Sequence, residues 1–236
     1  VLLIATLGFW VLEEKPAGER QRSSYFQTLK SIPAVVRADP NLRSYLWFVN
    51  GMGFHVALIP FYVSLAKKNY FLDPALAGNL LFVQILGMIA ASLLWPRVVK
   101  SGGFKRVLKV WAGLSFLLPP AALFVSHYLP LPAYIALFLF TGAAISGRKV
   151  SQDAVIVELS TEENRVLYTA IIGTLNLSIA IFPIVIGTLI GFFGYVPVFS
   201  AVSLSALIAR SALGRLVCPV DRPADPPPEG PSLFDT

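Results

Sequence analysis

Gly78 to Phe124 reads GNLLFVQILGMIAASLLWPRVVKSGGFKRVLKVWAGLSFLLPPAALF. An apolar run, a basic stretch and a second apolar run follow one another. Leu80 to Trp95 carries no charge. With Asn79 and the residues before it, this run is long enough to cross a bilayer, which takes about 20 residues. Pro96 to Arg106 then holds four cations, Arg97, Lys100, Lys105 and Arg106, and no anion, around Gly102 and Gly103. Val107 to Phe124 is apolar again, broken only by Lys109 near its start. A short, Gly-containing, purely basic connection between two spanning runs marks a cytoplasmic loop, because Lys and Arg concentrate on that side. Orientation is fixed at this hairpin, and the rest of the chain follows by alternation.

Composition agrees with that reading. Of 236 residues, 56% are hydrophobic and 14% charged, with a mean hydropathy of +0.69. A soluble domain carries about 25% charged residues. The net charge of +6 lies in clusters between apolar runs and forms no stripe on a polar helix, so it signals topology and not nucleic acid. Cys218 is the only cysteine, which excludes an internal disulfide, and no paired Cys/His spacing suggests a metal site or cofactor. The expectation is an all-α polytopic membrane protein.

Val1 to Leu12 is uncharged but too short to span, and reads as the end of a truncated transmembrane helix; a shallow interfacial anchor is the alternative. Residues 13–43 read as a cation-rich cytoplasmic linker. Within it Tyr25, Phe26, Leu29 and Ile32 have the spacing of a helix lying along the membrane. Residues 44–215 read as six spanning helices. The first runs from Ser44 to about Ala66, with Asn50 and His55 inside it and Pro60 expected to bend it. Lys67 and Lys68 argue against an outer loop there, yet alternation from the basic hairpin requires one. Leu76 to Trp95 carries Asn79 and Gln84, and Val107 to Phe124 carries Pro119 and Pro120, expected to open its hydrogen-bond ladder. A fifth span begins near Ala133. Ser160-Thr161-Glu162-Glu163 has the Ser-x-x-Glu form of a capping box opening the sixth segment. Gly191 to Tyr195 is an outer turn, and Val196 to about Leu213 returns inside. Residues 216–236 are Pro-rich and expected to form a disordered cytoplasmic tail.

The fifth span holds the most informative charges. Its apolar run stops at Gly147, about 15 residues in. A workable length requires continuing through Arg148, Lys149, Gln152 and Asp153 to Val157. That places Arg148 about 22 Å below the outer edge of a hydrocarbon core about 30 Å thick. Lys149 and Asp153 can pair at a spacing of four, and Arg148 shares a face with Gln152. An ionisable residue at that depth faces protein or a water-filled cavity; the alternative is that both cations snorkel to the interface. In the sixth segment Thr169, Gly173, Asn176, Ala180, Pro183, Gly187 and Gly191 form a small or polar stripe, ending in Gly187-x-x-x-Gly191. The stripe reads first as a close helix contact and second as a solute-facing surface, with Asn176 able to serve both. His55 reads as an interhelical hydrogen bonder or as a proton-coupling group.

Several of these stretches resemble one family. Gly103, Lys105 and Arg106 fit the second copy of the Gly-x-x-x-Asp-Arg-x-Gly-Arg-Arg loop of the major facilitator superfamily. Pro96 replaces its first Gly, and Lys100 stands at its acidic position, so the charge-relay role proposed for that Asp does not carry over. Glu158 to Arg165 looks like the family's loop before helix eleven, and Phe193-Gly194-Tyr195 like its turn before helix twelve. Nearly the whole chain resembles the C-terminal half of such a transporter: the end of helix six, the central loop, and helices seven to twelve.

That resemblance implies secondary active transport of a small solute by rocking of two six-helix halves about a midplane site. Its partners would be the solute, protons or another coupling ion, the lipid bilayer and a missing N-terminal half. The expected location is the cell (inner) membrane, with linker and C-terminus cytoplasmic. Solute-binding or coupling candidates are Asn50, His55, Gln84, Arg148, Lys149, Gln152, Asp153 and Asn176, and Arg97, Lys100, Gly103, Lys105 and Arg106 are candidates for the cytoplasmic gating loop. A membrane enzyme is not expected: no Ser elbow stands beside His55 or His127, Cys218 lies beyond the last span, and paired midplane carboxylates are absent. The alternative is a receptor or scaffold that keeps the transporter fold without transporting, a reading favoured by Lys100 and Pro96.

Overall fold

The computed structural model describes residues 25–71, 74–161, 164–175 and 178–216. The expected half-helix at 1–12, residues 13–24 of the linker and nearly all of the Pro-rich tail lie outside the described residues. Every element among those described is a helix: α1 Tyr25–Ala38, α2 Pro40–Tyr70, α3 Pro74–Tyr128, α4 Leu131–Leu159, α5 Arg165–Leu175, α6 Ser178–Phe193 and α7 Tyr195–Ala212.

Helix α2 begins at Pro40, four residues before the expected Ser44, because Asp39 caps it. The Asp39 Oδ1 accepts from the N–H groups of Asn41 (2.8 Å) and Leu42 (3.2 Å), two donors that a helix start otherwise leaves unpaired. Its Oδ2 accepts from the Tyr168 hydroxyl of α5 at 2.6 Å, and its own N–H donates to the Val35 carbonyl of α1. One residue thus ties three helices, two of them through its carboxylate. Asp39→Ala is expected to lower the melting temperature of the solubilised protein, costing about 1 kcal/mol for the cap alone. Tyr168→Phe, which leaves the cap intact, should lower it less; equal melting of Asp39→Ala and wild type would refute the tie.

Helix α3 has 55 residues. Straight, it would be about 80 Å long, far more than the about 30 Å of a hydrocarbon core. It is folded instead. Gly102 and Gly103 leave helical geometry, and Gly103 takes φ 65° and ψ −175°, a conformation open to glycine at little steric cost. Ala91, Trp95 and Val107 share one buried cluster, although a continuous helix would hold Ala91 and Val107 about 24 Å apart. The connection is therefore these two glycines and not the eleven residues Pro96 to Arg106: both flanks stay helical up to the turn. Helix also runs on through Pro60, Pro119 and Pro120.

Hydrogen bonds between helices show that all the long elements run between the same two ends. At one end Tyr45 Oη donates to the Gln152 carbonyl (3.2 Å), Tyr168 to Asp39, and Arg210 to the Lys109 carbonyl (3.2 Å). The Gly102–Gly103 turn and its cations lie at this basic end. At the other, Tyr70 Oη reaches the Val125 and Leu129 carbonyls (2.9 Å each), Tyr134 Oη donates to the Tyr62 carbonyl (2.8 Å), and Ser64 meets Tyr195 (2.7 Å). Lys68 sits at that second end with its ammonium 5.4 Å from the Tyr195 ring centre. A cation–aromatic contact holds it there despite the charge bias.

Four helical stretches are long and apolar enough to cross a membrane: Pro40–Tyr70, Ala77–Tyr128, Leu131–Leu159 and Tyr195–Ala212, with Ile181–Phe193 a shorter apolar one. The expected six spans therefore do not map one to one onto elements. The Ala77–Tyr128 stretch contains two arms, and the expected sixth segment is described as α5 and α6 on either side of residues 176–177, which lie outside the described residues.

Helix α2 supplies the centre of the core. Its Tyr45, Phe48, Met52, Leu58 and Tyr62 are fully buried, with Phe48 edge-on to Trp111 at 5.4 Å and Tyr62 edge-on to Phe199 at 5.5 Å. The closest backbone approach lies elsewhere, where the first arm of α3 crosses α4. A Cβ on Gly87 would overlap the Leu139 carbonyl and stand 2.7 Å from its Cα, while one on Gly142 would overlap the Gln84 carbonyl and stand 2.8 Å from the Met88 nitrogen. Small residues at a crossing let backbones approach and gain dispersion contacts where lipid offers no hydrophobic drive.

One expectation is corrected in part here. Of Gly187-x-x-x-Gly191 only the first glycine packs closely within this chain: a Cβ on Gly187 would stand 3.3 Å from the Phe61 ring of α2, while one on Gly191 would meet nothing within 4 Å, and the same holds at Gly173. Tyr168, Ile171, Ile172 and Ile186 turn inward instead, so Thr169, Gly173 and Gly191 face out. The expected capping box turns on Glu163, which lies outside the described residues. Beside it, the Ser160 N–H donates to the Ile156 carbonyl of α4, the Thr161 carbonyl accepts from the Arg165 N–H, and the Thr161 N–H donates to Asn164 Oδ1 at 2.7 Å.

Candidate functional site

The interior charge sits where α4 passes α2 near the basic end. Helix α4 continues unbroken from Gly147 through Val157, so Arg148 and Gln152 share one face, and Arg148 Nε donates to Gln152 Oε1 at 3.2 Å. The carbonyl of Gln152 accepts from the buried Tyr45 of α2, which fixes the height of this turn against its neighbour. Ser151 is buried and donates to the Gly147 carbonyl at 2.6 Å, and Gly147 lets the Trp95 ring lie against the helix: a Cβ there would be 2.7 Å from Trp95 Cζ2. Arg148 is half-buried and makes no ion pair among the described residues. A positioned, partly desolvated guanidinium whose other donors have no partner among the described residues is suited to a carboxylate or phosphate, which it can grip bidentately.

The other candidates fall in different places. Lys149 is exposed, one step round the helix from Arg148. Asp153 lies on α4, and its side chain is outside the described residues, as is Asn176 altogether. Asn50 donates to the Leu46 carbonyl at 2.9 Å and lines a cavity on a different side of α2. Gln84 is buried and donates to Thr141 Oγ1 at 3.4 Å, beside the Gly87–Gly142 crossing, a position that joins the two helices. His55 is 1% exposed, and neither ring nitrogen has a partner among the described residues; the same is true of the Ser115 hydroxyl. Each such orphan costs about 1–3 kcal/mol. Phe48 against Trp111 and Tyr70 beside Val125 show that α2 and the second arm of α3 run in parallel, which sets His55 and Ser115 at about the same level.

In the basic turn, Arg106 Nη1 donates to the Ser101 carbonyl (3.1 Å) across the two glycines, and Arg97 Nη1 to the Leu93 carbonyl (3.5 Å). Lys100 is exposed and Lys105 half-buried. Arg106 thus closes the turn it follows, a role its type and spacing did not reveal. Tyr45 and Tyr168 were missed as well: only their reach across helices marks them.

The family model described as Major Facilitator Superfamily matches residues 45–233. The chain belongs to this superfamily. It is accordingly an integral, multi-pass membrane protein of a transporter family, and the resemblance drawn from the basic hairpin and the Phe193-Gly194-Tyr195 turn is correct at that level. The Arg148 turn, the Gly102–Gly103 turn and the helices that carry them all lie inside the matched residues. No curated protein and no solved structure shows a significant match to the chain.

Proposed function

We propose that this chain supplies the C-terminal six-helix half of a secondary active transporter that moves a small solute by alternating access. Counting the arms of α3 separately and α5 with α6 as one crossing gives six passes after the linker helix α1, the order of a superfamily half. The observation that carries the solute reading is Arg148: a half-buried cation on a membrane-spanning helix, oriented by Gln152 and braced by Tyr45. Such a group favours an anionic or carboxylate-bearing solute. Lys149, Gln152, Asp153 and Asn176 would complete the wall, with His55 or Asp153 coupling protons. The outward stripe of Thr169, Gly173 and Gly191 supports a second half approaching on that face.

The test is uptake by the complete protein in proteoliposomes, with carboxylate, phosphate and neutral solutes compared. Saturable uptake of an anion supports the reading; inserted, folded protein that moves none of them returns it to a receptor or scaffold. The proposed orientation has its own check in a Cys218→Ser background. Lys100→Cys should react with an impermeant maleimide only after the membrane is permeabilised, while Tyr128→Cys should react in intact cells. The reverse pattern would invert the topology.

A further inference from the structure

We propose that the groove between α2, α6 and α7 binds an anionic phospholipid from the leaflet at the basic end. A cavity of about 500 Å³ opens there, with Arg43 of α2 and Arg215 beyond α7 in its lining, and Trp47, 73% exposed, beside them. Neither guanidinium has a hydrogen-bond or ion-pair partner among the described residues. The polar neighbours are otherwise occupied: Asn50 donates to Leu46, Ser205 to Val202 and Ser211 to Ile208, each on its own helix. Two guanidiniums are thus left facing one mouth, the donor type that matches phosphate bidentately.

The groove does not end there. Phe54 and Ser205 also line a second cavity of about 320 Å³, walled by Val185, Leu189, Pro197 and Ala201, that runs on toward the opposite end. From Ser211 to Pro197 the helix rises about 21 Å, more than the about 15 Å of one leaflet's hydrocarbon half. A cationic mouth at the basic end, an interfacial Trp and a long apolar limb fit an amphiphile with an anionic headgroup and an acyl chain. A soluble anion leaves the limb without purpose, and a zwitterionic lipid leaves the two cations uncompensated. Nor is this the Arg148 site: Tyr45, which holds Gln152, lies about 200° round α2 from Arg43. The inference goes beyond the solute reading and does not depend on it.

Binding is measured on the complete purified protein in non-ionic detergent. Phosphatidylglycerol, phosphatidylcholine of the same chains, and glycerol 3-phosphate are titrated, with Trp quenching by brominated-chain lipid as the signal. Phosphatidylglycerol should bind about 30-fold tighter than phosphatidylcholine, about fivefold for each of two interfacial cations. Glycerol 3-phosphate should not compete. In the Arg43→Gln/Arg215→Gln variant the preference should fall to within about twofold, and in Trp47→Phe the quenching step should shrink. Equal binding of the two lipids, a preference that survives the double substitution, or effective competition by glycerol 3-phosphate would each overturn the assignment. If the double variant does not fold, the Trp47→Phe comparison and the lipid pair on the wild type still decide it.

Discussion

Gly142→Val is expected to leave no correctly assembled protein in the membrane. A first side-chain carbon at this position would share space with the Gln84 carbonyl and crowd the Met88 nitrogen. Those obstacles are backbone, so no rotamer change relieves them. The first arm of α3 would have to move off α4 as a body, pulling apart Gln84 and Thr141 and lifting Trp95 from Gly147. Overpacking of a core that can yield through its side chains costs about 1–3 kcal/mol. Where only backbone can yield, the penalty should exceed that range and take a large part of a domain's about 5–15 kcal/mol. The readout is the amount of monodisperse protein extracted from membranes and its melting temperature, with Gly87→Val expected to fail in the same way. Gly173→Ala and Gly191→Ala, where an added carbon meets open space, should stay within about 0.5 kcal/mol of wild type. A Gly142→Val protein that melts like wild type would refute the crossing.

Arg148→Ala should abolish uptake in proteoliposomes while leaving insertion and melting close to wild type. Among the described residues the guanidinium makes a single hydrogen bond, to the Gln152 side chain on its own helix, so removing it strips little from the packing. The Tyr45 bond goes to the Gln152 backbone and survives the change. What is lost is the oriented cation of the proposed solute wall, and an anion entering a low-dielectric cavity without it meets a steep cost. Arg148→Lys keeps the charge but not the planar fork, so it should retain some transport with a raised KM. Uptake by Arg148→Ala at the wild-type rate would remove Arg148 from the site.

The sequence made the hairpin legible because charge and hydropathy are one-dimensional signals: four cations between apolar runs mark a turn whatever the packing. The continuation of α4 through Arg148 and Lys149 was legible for the same kind of reason, since a span of fixed length had to be completed. Packing was not. Gly87 and Gly142 carry no pattern that separates them from Gly173 and Gly191, and only the position of the facing backbone tells a crossing from an open stripe. Tyr45 and Tyr168 were unreadable because their partners are 107 and 129 residues away along the chain. Asn50, His55 and Gln84 were singled out as polar residues within spans. They proved to occupy three different surroundings, which polarity alone cannot distinguish.

The two-residue joint at Gly102–Gly103 also bears on how the protein is made. Both flanks are helical up to the glycines, and cations stand on each side of them: Arg97 and Lys100 before, Lys105 and Arg106 after. No slack exists to let one flank settle in lipid while the other waits in water. Carrying the joint itself across would drag these charges through hydrocarbon at about 2.5–3.5 kcal/mol each. Residues 74–128 should therefore leave the insertion machinery as a preformed pair, with its point never crossing the bilayer.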